Sequence, residues 1–539
     1  MPEVRVSTLA ESLKAASLVR GGGDVTISSV TNDSREVRPG ALYAALPGEH
    51  VDGHRFIDEA ITGGATAILC SHLPGVRVPG VAYLVAEKPR LALSEVSHVF
   101  YGRPSHEIEV VGVTGTDGKT STTHYLYQLL SALGAGCSFL STAAMAVGGD
   151  ERPNMLHQST PEAPEVHRAL RRMVDSGSDL AVLESSSHGL SALSCRLAHV
   201  RFHAAILTNI THDHLEFHGT FNRYRHDKAN LFRALGIDAM YDHPDFDPGT
   251  EPSDPPDTRL IDLPNHKPFA DGRIGSPFGV AHRGDPNGAY AASVTDAPVL
   301  SYAVDDPNAS IHAERVELDA TGSRFDLCVG SGRVRATLPI PGGFTILNVL
   351  AASATAIGLT GCSLADLVEP IGALKPPNGR LAVLSSKPFT VVVDHASTPG
   401  AFRAVLPFFK QQAKGRLIVV FGSAGERDPG KRPIQGGIAD RYADVIVLTD
   451  EDPRSEPPMS ILEQIASGFS TSRDRNTVHQ IPDRRMAIRK AFSEARAGDI
   501  VLLLGKGHET SIIRRDGADP WNEINVATEE LAGYLADYQ

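Results

Sequence analysis

The sequence predicts an α/β protein built from several parallel-sheet units, on three observations. The chain has 539 residues, whereas single hydrophobic cores usually stop growing near ~250 residues. Short apolar runs alternate with amphipathic helical stretches, the pattern of parallel strands covered by helices. Pro- and Gly-rich breaks interrupt that alternation. Composition excludes other classes. Hydrophobic residues at 41% and charged residues at 21% are ordinary for a globular chain, and a formal net charge of −13 argues against a diffuse basic surface for nucleic acid. No run is expected to approach the ~18 apolar residues of a membrane span, and residues 1–18 hold no signal-like apolar block. The scattered cysteines Cys70, Cys137, Cys195, Cys328 and Cys362 suggest neither a disulfide framework nor a zinc ribbon. A cytosolic, multidomain protein is expected.

In chain order, residues 65–70 and 81–85 read as buried strands bounded by turns. An amphipathic helix ends near Tyr101, and Arg103-Pro104 marks a boundary, so residues 1–104 form a first unit. An apolar strand over 108–114 opens a second unit, 105–376, with further strands at 180–184 and 204–208 and a helix over 224–235. Between 242 and 286 nine prolines and many aspartates show little periodicity, which predicts a long surface insertion with little regular structure. Apolar patterning resumes at Val299. Lys375-Pro-Pro-Asn-Gly379 reads as a hinge, and residues 377–539 form a third unit. Its strands at 390–394, 417–421, 445–449 and 500–504 predict an open doubly wound sheet that binds ligands beyond the strands' carboxyl ends. No internal repeat is evident.

The strongest chemical signal is the passage from strand 108–114 through Gly115, Thr116, Asp117 and Gly118 into Lys119, Thr120 and Ser121, followed by a helical run over 122–133. Such glycines let backbone N–H groups reach phosphate oxygens, and the helix N-terminus adds favourable partial charge. Lys119 would neutralise β- and γ-phosphates, and Thr120 or Ser121 would offer a hydroxyl to magnesium. The general Walker spacing would put glycine where Val113 stands. A plain strand–helix turn is the bland alternative, which Lys-Thr after the second glycine disfavours.

Gly115-Thr-Asp-Gly-Lys-Thr120 resembles the P-loop of the Mur ligase family, a form shared with folylpolyglutamate synthases and cyanophycin synthetases. Thr31-Asn-Asp-Ser-Arg35, Leu183-Glu-Ser-Ser-Ser-His-Gly-Leu190, the segments 208–219 and 225–232, Glu451-Asp-Pro-Arg454 and Gly505-Lys-Gly-His-Glu-Thr510 occur in the order of the family's MurE branch. The resemblance covers all three units and misses mainly the Pro-rich insertion. It implies an N-terminal UDP-binding α/β domain, a central P-loop ATPase-like parallel-sheet domain and a C-terminal Rossmann-like domain. It also implies an ATP-dependent amide ligase of peptidoglycan synthesis, adding a diamino acid to UDP-N-acetylmuramoyl-L-alanyl-D-glutamate through an acyl phosphate. A catalytically silent nucleotide- or UDP-muramoyl-peptide-binding protein, and a ligase for another acid such as a folate, are the competing readings.

Carried residue by residue, the resemblance implies these roles. Glu184, at the end of a buried strand, and His214 would hold Mg²⁺ with Thr120; without the resemblance the cluster around His212, His214 and His218 reads equally as a polar loop or a transition-metal site. Lys228, which alone would read as a solvated helix-face lysine, is implied to carry a carbamate, which requires a site that lowers its pKa. ATP would also meet Asn348, Arg380 and Asp394, although His395 and Ser397 depart from the family's usual tyrosine and histidine. UDP-muramoyl peptide would meet Asn32, Ser34, Glu49, His50, Val51, Ser159, Thr160, Ser186 and Arg196. The amino acid falls to Arg427, Glu451, Asp452, Pro453, Arg454, Gly505 and Glu509. Arg454 offers a fork for a distal carboxylate and Glu509 an acceptor for a distal ammonium. Together these favour meso-diaminopimelate, whereas Asp452, as an added anion, favours lysine or ornithine. A monomer without nucleic-acid or membrane partners is expected.

Overall fold

The computed structural model describes residues 3–19, 24–48, 51–154, 158–211, 213–246, 276–319 and 322–537. Among the described residues three large sheets carry the fold, beside two two-stranded ones. The first has the order Ser17–Leu18, Ala82–Val85, Ala65–Cys70, Ala41–Ala44, Ser29–Thr31, parallel except for the Ser17–Leu18 edge. Its parallel centre follows from runs such as Ala65–Cys70, which bury side chains on both faces.

The second sheet has 11 strands. Its parallel heart places Glu109–Thr114 between Leu180–Glu184 and Ala204–Leu207, with Glu184 opposite Val113 and Leu207 opposite Thr114. The register brings three carboxyl ends to one level, where the phosphate loop, Glu184 and Thr208 emerge. Antiparallel strands extend both edges, ending in Asp150–Pro153 on one side and Gly332–Leu338 on the other. The third sheet has the order Ala382–Ser385, Thr390–Asp394, Ile500–Leu504, Leu417–Phe421, Val445–Leu448, Val478–Gln480. Only the first of these strands runs antiparallel.

Two expectations need correction. The Pro-rich stretch is not irregular to its end, because Phe278–His282 is a buried strand in the second sheet, parallel to Ala204–Leu207 and Val299–Val304. Pro277 and Pro286 bracket this short apolar run and hid it among turn signals; residues 247–275 lie outside the described residues. Gly343–Thr360 is also long and apolar enough, by length and composition, to cross a membrane. Its place in the fold explains the composition: 67% of that span is buried, packed on the helix Lys119–Ala132 and on the second sheet. A helix covered on most sides is apolar nearly all round.

Lys375 opens the Pro-rich segment that follows the helix Leu364–Ala373. Its N–H donates to Gln128 Oε1 (3.0 Å) and its carbonyl accepts from Gln128 Nε2 (2.9 Å). This reciprocal amide pair ties the hinge to the phosphate-loop helix.

Candidate active site

The phosphate loop is locally over-determined. Gly115 has φ +143°, and a Cβ there would lie 1.8 Å from Thr208 Oγ1. Gly118 has φ +85°, and a Cβ there would lie 2.5 Å from Asn348 Oδ1. Glycine is therefore required at both turns. The helix begins at Lys119, three residues before the expected start, so the lysine stands in the first turn. Lys119 Nζ donates to the carbonyls of Gly115 (3.0 Å) and Thr116 (2.8 Å). Asp117 is fixed from two sides: its N–H donates to Asn209 Oδ1 (3.1 Å), and Thr398 of the third unit donates to its Oδ1 (3.1 Å).

Glu184 meets this loop from the neighbouring strand. Thr120 Oγ1 donates to Glu184 Oε2 (3.0 Å), and Thr142 donates its N–H to Oε2 (2.8 Å) and its hydroxyl to Oε1 (2.9 Å). A threonine hydroxyl beside a buried carboxylate at a phosphate loop is a set of hard oxygen donors that suits Mg²⁺. His214 also lines the cleft, in a left-handed backbone conformation, with Nε2 3.4 Å from Asp213 and Nδ1 3.3 Å from Glu216. His218 is placed elsewhere, buried against Asp227 at 2.8 Å; His212 lies outside the described residues.

Lys228 is not a solvated helix-face residue. It comes from the helix Phe221–Arg233, is 1% exposed, and donates to the Gly115 carbonyl at 2.7 Å, the same oxygen that Lys119 reaches. Its Nζ also lies 4.6 Å from the centre of the Tyr224 ring. Burial first, and the Lys119 charge second, hold the amine's pKa well below the usual lysine value, against opposing pulls from Asp213, Asp117 and Glu184.

One cleft of ≈ 630 Å³ joins the phosphate loop to the third unit. Asn348, Arg380 and Asp394 line it, as do His395 and Ser397. Asp394 accepts the N–H groups of Leu381 and Ala396, both at 2.8 Å, so it pins the inter-unit linker while it faces the cleft. Burial raises its pKa. The far end of the cleft carries Arg427, Glu451, Asp452, Arg454 and Glu509, on loops beyond the carboxyl ends of Leu417–Phe421, Val445–Leu448 and Ile500–Leu504. Pro453 and Gly505 belong to those loops; a Cβ on Gly505 would lie 3.2 Å from Glu451 Oε2. Arg484, buried and paired with Glu523 at 2.6 Å, donates to the carbonyls of Asp450 (2.9 Å) and Leu504 (2.8 Å) and so stitches two of these strand ends together.

Asp452 lines the cleft with its carboxylate held by a lysine. Its Oδ1 accepts from Lys506 Nζ at 2.7 Å and from the Ile513 N–H at 2.9 Å. Lys506 also pairs with Glu509, whose pKa burial pushes up to about 7 against the pull of that lysine.

The residues assigned to UDP-muramoyl peptide are dispersed. Ser159 lines the cleft, 2.7 Å from the Thr142 hydroxyl. Thr160 donates to the Glu184 carbonyl (2.9 Å) and accepts from the Ser186 N–H (2.8 Å), and Ser186 caps the short helix Ser187–Leu190. Arg196 pairs with Glu162 at 2.7 Å. Asn32, Ser34 and the exposed Val51 belong to the first unit, away from the cleft walls; Glu49 and His50 lie outside the described residues. Sequence reasoning missed Thr142, Asn209, Thr398 and Lys506. Asn209, Lys506 and Thr398, the last in Asp394-His-Ala-Ser-Thr-Pro399, sat inside segments that match the family, a signal that was available; Thr142 carried none until the fold met it.

A phosphate loop at the head of one parallel sheet, opening onto a doubly wound sheet across a shared cleft, defines a nucleotide-binding protein with room for further ligands. Three family models match: Mur ligase family, catalytic domain over 26–99, Mur ligase middle domain over 113–241 and 272–356, and Mur ligase, glutamate ligase domain over 379–507. A UDP-N-acetylmuramyl-tripeptide synthetase of Treponema denticola is 37% identical, covering 98% of both chains. A UDP-N-acetylmuramoyl-L-alanyl-D-glutamate–2,6-diaminopimelate ligase of Geobacillus thermodenitrificans is 35% identical, covering 94% of this chain and 96% of its own. A solved structure of a ligase of that same name shares the fold, with TM-score 0.62 at 24% identity over 100% of both chains. The chain belongs to the Mur ligase family of ATP-dependent peptide ligases.

Proposed function

We propose that the protein joins a diamino acid, meso-diaminopimelate in preference to lysine or ornithine, to UDP-N-acetylmuramoyl-L-alanyl-D-glutamate in the cytoplasm. The observation that carries this reading is the single cleft, with Lys119, Thr120 and Glu184 at one end and Arg454 and Glu509 at the other. The dipeptide's terminal carboxylate attacks the γ-phosphorus of ATP, and ADP leaves. The amine then attacks the acyl carbonyl, and phosphate departs with one former carboxylate oxygen. The charge that builds on phosphate and acyl oxygens calls for preorganised donors, which Lys119 and the loop N–H groups supply. Thr120 and Glu184, with His214 at the rim, would hold Mg²⁺, which contributes charge neutralisation when bound. Burial shifts the Lys228 amine toward its neutral form, whose lone pair can add to CO₂: the N–C bond forms as an N–H proton leaves, and the resulting carbamate is a further oxygen donor. Residues 1–104, 105–376 and 377–539 would then bring the UDP-peptide, ATP and the amino acid together.

With Asp452 neutralised, Arg454 sets the selection, since its planar fork fits a distal carboxylate that lysine and ornithine lack. Phosphate release by purified protein tests the reading. Release is expected only with ATP, UDP-muramoyl dipeptide and a diamino acid present together, and release that ignores the dipeptide would refute it.

A further inference from the structure

Three carboxylates meet at the far end of the cleft with one buried lysine behind them. Lys506 has no exposed side-chain surface (0%) and lies 2.7 Å from Asp452 Oδ1. It reaches Glu509 as well. Asp452 and Glu509 line the cleft wall, whereas Lys506 does not. Glu451 stands apart: its Oε2 is buried with no hydrogen-bond partner among the described residues. The lysine is therefore aimed at two of the three acids from behind the cleft wall.

We infer that Lys506 is a specificity-determining positioning residue, which withholds the Asp452 carboxylate from the substrate and holds Glu509 where a distal ammonium can reach it. The inference rests on the diamino-acid ligase reading. A buried carboxylate without a counter-ion strongly attracts cations. Were Asp452 bare, a side chain ending in an ammonium alone would gain and one ending in a carboxylate would lose. With Lys506 in place Asp452 is neutralised, and Arg454 is left to demand the carboxylate. Lys506 touches no reacting atom; it acts through the two acids.

The readout is the ratio of kcat/KM for meso-diaminopimelate to that for lysine, in the full-length enzyme with ATP and UDP-muramoyl dipeptide. Lys506→Met is expected to lower the ratio about tenfold or more, the scale of one charge-assisted hydrogen bond. Adding Asp452→Asn to it is expected to raise the ratio again by about threefold or more, because the anion that Lys506 withholds is then gone, whereas Glu509 has lost its lysine in both variants and cancels from the comparison. A purely structural lysine would instead lower both kcat/KM values together, and the second substitution would leave the ratio alone. Should K506M fail to fold, D452N by itself decides the matter: the inference requires the ratio to stay within about threefold, and a tenfold rise would show that the substrate already senses Asp452. Wild-type enzyme that uses neither amino acid would refute the ligase reading and not the role of Lys506.

Discussion

Gly115 shows how little freedom the site allows a single residue. Its carbonyl takes two lysine amines, its φ is +143°, and its missing side chain makes room for Thr208. Gly115→Ala is expected to destabilise the fold by about 2 kcal/mol or more and to abolish ATP binding, measured by denaturant unfolding and by nucleotide titration. Lys119→Ala should keep the fold and lose about 10²–10³-fold in kcat, the usual cost of removing one preorganised donor from developing oxyanion charge. Glu509 supplies a pH test. Its carboxyl titrates near pH 7 because burial disfavours the charged form, and only the carboxylate accepts from an ammonium. KM for the diamino acid is therefore expected to fall as pH rises from 6 to 7 and to level off above; a KM that is flat across this range would place the ammonium elsewhere.

Arg484, at the start of the helix Arg484–Glu494, positions the pocket loops from behind. Arg484→Met leaves Glu523 as a buried, unpaired charge and is expected to cost about 3–5 kcal/mol of stability, whereas replacing both partners with apolar residues should cost much less; urea melts of the two variants separate these outcomes. At this scale the sequence was most legible where one element carries its own signal. The strands 65–70, 180–184 and 500–504 are predominantly apolar runs, and the phosphate loop joins strand to helix through the four residues 115–118. Phe278–His282 was missed because five residues between prolines look like a turn until a neighbouring strand pairs with them. Likewise Asp452 reads as a free anion until Lys506, 54 positions away, is folded against it. Charge can be read from sequence, but neutralisation depends on contact.

At the scale of the molecule, the first two units meet over a group of histidines. His98 of the helix Pro89–Phe100 lies 5.3 Å, ring centre to ring centre, from both His106 and His167 of the helix Ala163–Asp175, and 6.1 Å from His199. His98 Nδ1 and both ring nitrogens of His167 and His199 have no hydrogen-bond partner among the described residues. The charged groups felt there are mainly cations, Lys14, Arg103 and Arg201, with Asp238 on the other side. Burial lowers His98 to about 4 and His199 to about 3, and holds His167 well below the ordinary 6.5. These rings bind protons more readily when the joint opens or unfolds than when it is closed. The stability they contribute is thus whole above pH 6.5 and is lost as pH falls toward 4, by up to about 1.4 kcal/mol per histidine per pH unit. Melting temperature should drop steeply between pH 6.5 and 5, and His167→Leu should flatten that slope.

The fold, the phosphate loop and the joined cleft all serve one claim, that ATP activates the dipeptide's carboxylate as an acyl phosphate before the amine arrives. Dipeptide substrate labelled with ¹⁸O in its terminal carboxylate tests this most directly, by mass spectrometry of the phosphate released with ATP and meso-diaminopimelate. One carboxylate oxygen is expected in each phosphate formed; unlabelled phosphate alongside normal amide formation would contradict acyl-phosphate activation.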